Sequence, residues 1–362
     1  MDGHALTAEE RGCAGSGPEL TVDRFRLQAQ AELHAHNEHL AKWHEWLLRQ
    51  PHAQDDLRPW TLKGREFFGF YETFCRILQF YKPEKIGVFR PMGWALDEAV
   101  IGVVSAQLRR LIEHARATEP NGPFEEWLRS YDPEPMARYT AIDRKFQTLT
   151  GASIRRVLDF GSGIGRQAFH WCGAGAGTTL YSVDAIENFY LLQHHVYRHL
   201  FPERLVEYFC DPEAFPRAIA AAQPGQLYHL PTWRLSCIPD QSVDLIICVQ
   251  VLQEINGSAL LEVLRQFRRI ARPGGLLYIR DKEFWTPVHA IRVGRVLLQQ
   301  GWELVFKYTG SEGTDIEGVP RLWAITGADP RRYLRAKARL KRMFLPSYHL
   351  SFHSWKDWGL PI

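Results

Sequence analysis

The sequence has no long apolar run. Its best, residues 99–106, falls far short of the ~20 residues that a bilayer span needs. It has no excess of one charge either. Forty-four Lys and Arg face 41 Asp and Glu for a net charge of +3, which removes the bulk electrostatic argument for a nucleic-acid or membrane partner. No Cys-x-x-Cys pair occurs among the six scattered cysteines, Cys13, Cys75, Cys172, Cys210, Cys237 and Cys248. Several sit in apolar surroundings, so we expect no disulfide framework and a reducing, cytoplasmic setting. The opening MDGHALTAEERG carries acids and no apolar core, unlike a secretory signal. Internal repeats and low-complexity tracts are missing too. What is present is ordinary: 45% hydrophobic and 23% charged residues, enough to build a packed core and too apolar for wholesale disorder.

The pattern divides the chain. Residues 1–20 lack periodicity and read as a flexible tail. From Val22, Phe25, Ala29, Leu33, Leu40, Trp43 and Leu47 recur at helical spacings until Pro51. The aromatic-rich stretch 66–81 and the stretch 94–118 predict two more helices, and the proline-rich segment 119–135 a linker with one short helix. Residues 21–135 are therefore expected to form an all-helical cap or substrate-binding region. After Met136 the texture changes. Residues 155–160 (RRVLDF), 178–184 (TTLYSVD), 242–249 (SVDLIICV) and 276–281 (LLYIRD) are short apolar runs separated by the helical patterns 186–200 and 258–272. Strands alternating with helices predict a parallel sheet covered on both faces. Residues 302–309 and 321–326 add an antiparallel hairpin at the edge. The expected fold is α/β: a seven-stranded, mostly parallel sheet over 136–328 with helices on both faces, followed by a basic and aromatic extension, 329–362.

The strongest chemical signal is VLDFGSGIGR, residues 157–166. A buried strand runs into Gly161, Ser162, Gly163, Ile164 and Gly165, and a helix follows from about Arg166. Glycines there let the backbone turn sharply and approach a ligand where any Cβ would collide. Asp184, ending the next strand, stands where an acid accepts hydrogen bonds from ribose hydroxyls. The third glycine comes one residue too early for a dinucleotide loop. Asp159 would repel a pyrophosphate but suits a cationic end such as an amino acid's ammonium. A nucleotide joined to an amino acid is the ligand these residues describe.

The chain at this point resembles the class I S-adenosylmethionine-dependent methyltransferases. The likeness covers residues 140–328, on five segments in order: the glycine loop, Asp184, 235–255 (LSCIPDQSVDLIICVQVLQEI), 260–281 (LLEVLRQFRRIARPGGLLYIRD) and 293–305 (VGRVLLQQGWELV). It implies S-adenosyl-L-methionine as cofactor. Asp159, Gly161, Ser162, Gly163 and Gly165 would hold the methionine part, Asp184 the ribose, and Ala185 and Ile186 would lie against the adenine. Where relatives carry an acid near the end of the third strand, this chain has Thr232 and Trp233, a hydrogen-bonder and a ring that could stack on a purine. Gln250, ending the fourth strand, would face the cofactor.

Methyl transfer to a hydroxyl needs a base, and three candidates fall at the rim: Glu254, Asp281 and His289. His34, His36, His39 and His44 crowd one helix without a metal-ligand spacing, so no metal is expected. The expected activity is methylation of a small molecule, sugar-containing or aromatic, with oxygen slightly favoured over nitrogen, with no membrane partner and with room for a homodimer. Two alternatives stay open: a nucleic-acid methyltransferase using the basic stretch 331–342, and a non-catalytic cofactor-binding protein.

Overall fold

The computed structural model describes residues 20–36, 67–79, 95–173, 177–184, 186–255, 257–281, 291–308 and 318–325. Ala185, His289, His39, His44, the basic stretch 331–342 and both termini lie outside them, as do the side chains of His34 and His36.

Eight strands form one sheet: β1 (Arg156–Phe160), β2 (Thr179–Asp184), β3 (Leu205–Glu207), β4 (Leu227–Pro231), β5 (Val243–Val249), β6 (Ala271–Asp281), β7 (Trp302–Lys307) and β8 (Val319–Ile325). Their order is β3-β4-β2-β1-β5-β6-β8-β7. The first six are parallel, and β8 pairs antiparallel with both β6 and β7, which gives the expected edge hairpin. The expected count of seven is corrected to eight. The added strand, β3, is three residues long, too short to leave a periodic signal.

Neighbouring residues of each central strand enter opposite cores. Val157, Leu245, Ile247 and Tyr278 pack on one face of the sheet, and Leu158, Ile246, Cys248 and Ile279 on the other. This is why the strands read as unbroken apolar runs. The first core is closed by helices α2 (Phe70–Leu78), α3 (Glu98–Thr118), α5 (Glu134–Gln147) and α6 (Arg166–Trp171), with much of α7 (Glu187–Leu200). In α3, Val100, Val104, Leu108, Leu111 and Ala115 make the buried stripe, and Asp97 caps its start by accepting from the amides of Ala99 and Val100. The opposite core takes α8 (Phe215–Ala220), α9 (Gly257–Ile270), α10 (Val293–Gln299) and the apolar side of α1 (Val22–His36). A short helix α4 (Glu125–Ser130) lies in the proline-rich segment.

Helix α5 escapes the sequence pattern because its buried positions include the polar residues Thr140, Asp143 and Gln147, which interrupt the apolar stripe. Among the described residues no helix is long and apolar enough to cross a membrane.

Candidate donor-binding site

Strand β1 delivers the glycine loop to the middle of the sheet, between β2 and β5. The chain first runs outward from β1 through β2 and later crosses back to β5, and ligands of open α/β sheets bind at such a reversal. Gly161, Gly163 and Gly165 have φ of 71°, 57° and 77°, the left-handed region that side chains rarely enter. A Cβ on Gly161 would lie 2.2 Å from a Val251 methyl, whereas one on Gly163 would meet nothing within 4 Å. The loop is thus packed from behind at Gly161 and open at Gly163.

The loop's own polar groups fix its shape. Ser162 Oγ donates to the Asp159 carbonyl at 2.8 Å and accepts from the Val183 amide at 3.2 Å and from Ser182 Oγ at 2.9 Å. Its hydroxyl therefore ties the turn to β2. Asp184, buried at the end of β2, accepts from the Gly163 amide (3.2 Å) and from Gln193 Nε2 (3.0 Å) on Oδ2, and from the Ile186 amide (3.1 Å) on Oδ1. The structure brings the glycine loop and Asp184 into direct contact.

Asp159 stands apart. It is buried, and its Oδ2 has no hydrogen-bond partner among the described residues. Burial pushes its carboxyl up to about 7, although Arg166 and the Ser162 hydroxyl pull the other way. The fold therefore favours the protonated form. An acid of this kind lends stability below its unfolded value and loses it as pH rises through about 7. A cationic ligand reverses that preference and must displace the proton. S-adenosylhomocysteine, which carries the donor's ammonium, is accordingly expected to bind more weakly as pH falls from about 8 to about 6, by up to about tenfold per unit, with proton release in calorimetry. An affinity flat over that range would refute a role for Asp159 toward the ammonium.

The other sequence candidates separate. Thr232 and Trp233 follow β4 and are both buried. Trp233 is only 1% exposed, packs near Phe25 and Phe209, and donates from Nε1 to Glu32 of α1 at 3.2 Å. Gln250, just past β5, holds a left-handed φ of 62° and donates its amide to the Arg280 carbonyl at 3.0 Å. Such a conformation in a side-chain-bearing residue marks a constrained turn. Asp281 closes that turn, its two oxygens accepting from the amides of Val251 (3.0 Å) and Leu252 (3.1 Å). Burial pushes its carboxyl up to about 6 against the pull of Arg321 and these amides. Glu254 ends the short helical turn after β5 and is exposed at the rim.

Two buried clusters went unread in the sequence. One joins Asp143 of α5 to Arg166, Arg280 and Tyr278; the other joins Glu207 of β3 to His194, His229 and Tyr190. A signal was available, because Arg280 and His229 each interrupt an apolar strand, and a buried charge calls for a partner. Among the described residues no group of His, Cys, Asp and Glu could hold a metal ion.

A doubly covered, mostly parallel sheet with a glycine loop at its reversal and an acid ending the next strand is a nucleotide-binding α/β domain. The family described as "Methyltransferase domain" matches residues 106–312, more than half of the sequence, and the chain belongs to that family of S-adenosylmethionine-dependent enzymes. Among solved structures, it is similar to the N-methyltransferase NodS from Bradyrhizobium japonicum WM9, solved with S-adenosyl-L-homocysteine (13% identity, 62% of this chain and 100% of that one, TM-score 0.37). It is also similar to the glycopeptide N-methyltransferase MtfA (12% identity, 52% and 90%, TM-score 0.36). A third likeness is to the [4+2]-cyclase SpnF (16% identity, TM-score 0.35), where 50% of this chain spans 62% of that protein's length. No curated protein matches by sequence.

The residues present fit the family's methyl donor. Open space in front of Gly163 accepts a close approach, and the unpartnered Asp159 oxygen would accept from an ammonium once the carboxyl proton is displaced. S-adenosylmethionine supplies an activated methyl group when bound.

Proposed function

We propose that the protein methylates a small-molecule acceptor, sugar-containing or aromatic, at oxygen in preference to nitrogen, and that it works in the cytoplasm. In this reading Asp159, Gly161, Gly163 and Gly165 hold the methionine end of the donor and Asp184 its ribose, while Ser162 and Asp281 shape the two turns that border the pocket. Glu254 is the rim carboxylate suited to take a proton from an acceptor hydroxyl. Positioning does most of the remaining work. Holding an acceptor in line with the methyl group and excluding water can lower a barrier by roughly 7–11 kcal/mol in the best intramolecular cases.

The observation that carries the reading is the seat of α1. Phe25 packs against Tyr190, Phe209 and Trp233, Arg26 pairs with Glu187 at 2.5 Å, and Glu32 accepts from Tyr208 and Trp233. The N-terminal helix thereby walls the carboxyl side of β4 and the start of α7. This supports α1 as a wall that encloses a pocket rather than a groove for a polymer, whereas α2 and α3 of the expected cap pack on one face of the sheet. Free thiols at Cys75, Cys172 and Cys248, all buried, agree with a reducing compartment.

Incubation with a labelled donor and a panel of sugar and aromatic metabolites tests the assignment, with labelled RNA as the competing arm. Methyl transfer to RNA alone would overturn it. Asp184→Ala is expected to weaken S-adenosylhomocysteine binding at least about tenfold, the scale of a lost charge-assisted hydrogen bond. Unchanged affinity in calorimetry would remove Asp184 from the ribose site.

A further inference from the structure

Behind Asp184 lies a line of buried polar groups that neither the fold nor the donor reading explains. Gln193 of α7 donates both amide hydrogens, to the Gly163 carbonyl at 2.7 Å and to Asp184 Oδ2 at 3.0 Å. Both partners are pure acceptors, so the amide has only one workable orientation. Its Oε1 must then accept, and it lies 3.0 Å from Nε2 of His229. The other ring nitrogen of His229, Nδ1, lies 2.7 Å from the Glu207 carboxylate. Both nitrogens of His229 are thus engaged, Nε2 by Gln193 and Nδ1 by Glu207.

The surroundings agree. Glu207 also receives His194 Nδ1 at 3.0 Å, and His194 Nε2 accepts the Leu20 amide. The Tyr190 hydroxyl donates to Glu207 Oε1 at 2.6 Å. Burial works to raise the Glu207 carboxyl, but the charge of His229 and the two histidine hydrogen bonds overcome it, holding it well below the usual carboxylate range. Tyr190 stacks on the His229 ring with centroids 3.9 Å apart and fixes its plane. The ionisable groups that face His229 are Glu207 from β3, His194, Tyr190 and Tyr197 from α7, and Asp184 of β2 across Gln193.

We propose that His229 is a positioning residue for the methyl donor: held by Glu207, its Nε2–H donates to Gln193 Oε1 and locks that amide so that Gln193 pins the glycine loop and the Asp184 carboxylate in the geometry the ribose requires. This rests on Asp184 being the ribose ligand. A neutral His229 with its proton on Nδ1 would turn a lone pair toward Gln193 Oε1, and the amide could hold its place only against that repulsion.

Nitrogen-15 NMR of the donor-free protein tests the His229–Gln193 bond directly: Nε2 of His229 is expected to carry a proton, and a ring protonated on Nδ1 alone would overturn the proposal. S-adenosylhomocysteine binding then tests the role, with His229→Gln and the charge-free pair Glu207→Gln/His229→Gln compared in whichever folds as judged by circular dichroism. At least fivefold weaker binding is expected. A purely structural role would lower the melting temperature and leave affinity unchanged. If Asp184→Ala weakens binding while the His229 variants do not, the positioning role is wrong and the ribose assignment stands. If Asp184→Ala binds normally, the ribose assignment fails and the positioning role goes with it, whatever the NMR shows.

Discussion

Asp143→Leu is expected to cost the fold about 3–5 kcal/mol, seen as a lower urea midpoint with an unchanged slope. Asp143 is 1% exposed on α5. Its Oδ1 accepts from Arg280 Nε at 2.8 Å and from the Tyr278 hydroxyl at 2.6 Å, and its Oδ2 accepts from Arg166. One carboxylate thus serves two buried guanidiniums, which also lie over the Tyr139 ring at 4.3 Å and 5.4 Å. Burial alone would raise this acid, but Arg280 and Arg166 outweigh it and hold the carboxyl below its ordinary value. Its contribution is therefore present above the unfolded carboxyl value near 3.8 and is lost as pH falls through the lower folded value. Leucine fills the space but strands two buried cations from the carboxylate they share, and that uncompensated charge dominates the loss of packing. Because Arg166 directly follows Gly165, the variant should also loosen the glycine loop. A change within about 1 kcal/mol would mean that other partners already neutralise the arginines.

Alanine at Gly161 and at Gly163 is expected to separate folding from donor binding. At Gly161 the new methyl would be 2.2 Å from Val251, a β-branched neighbour with little freedom to move, at a φ of 71°. Left-handed strain of about 1–2 kcal/mol and overpacking of about 1–3 kcal/mol both act, so the melting temperature should fall and donor affinity drop by about a hundredfold or more. At Gly163 only the strain applies, because the methyl enters open space. Stability should fall by about 1–2 kcal/mol, yet binding should fall as steeply as at Gly161, since that space is the proposed cradle. If Gly163→Ala binds S-adenosylhomocysteine as well as the native chain does, the donor lies elsewhere.

The parts of this site that the sequence announces are those whose chemistry is local. The glycine loop shows because a turn with positive φ restricts its residues to glycine within a few positions, and Asp184 shows because strand length fixes its place after the loop. The sheet shows because strands covered on both faces must be apolar throughout. What stays hidden is long-range or short. Asp143 meets Arg280 across 137 residues, and His229 meets Glu207 across 22, so no spacing rule brings either pair together. Strand β3 has three residues, and α5 turns polar groups inward to meet those arginines. Trp233 fits an adenine platform by position, and that its indole is enclosed by α1 only the tertiary packing reveals.

That enclosure gives the molecule a built-in optical reporter. With Nε1 of Trp233 bonded to Glu32 and its ring shut between Phe25 and Phe209, the indole has the apolar surroundings that shift emission to the blue. Lifting the first helix would wet that ring and redden its light, a change to be read as the difference between the native chain and Trp233→Phe, because the sequence holds twelve tryptophans.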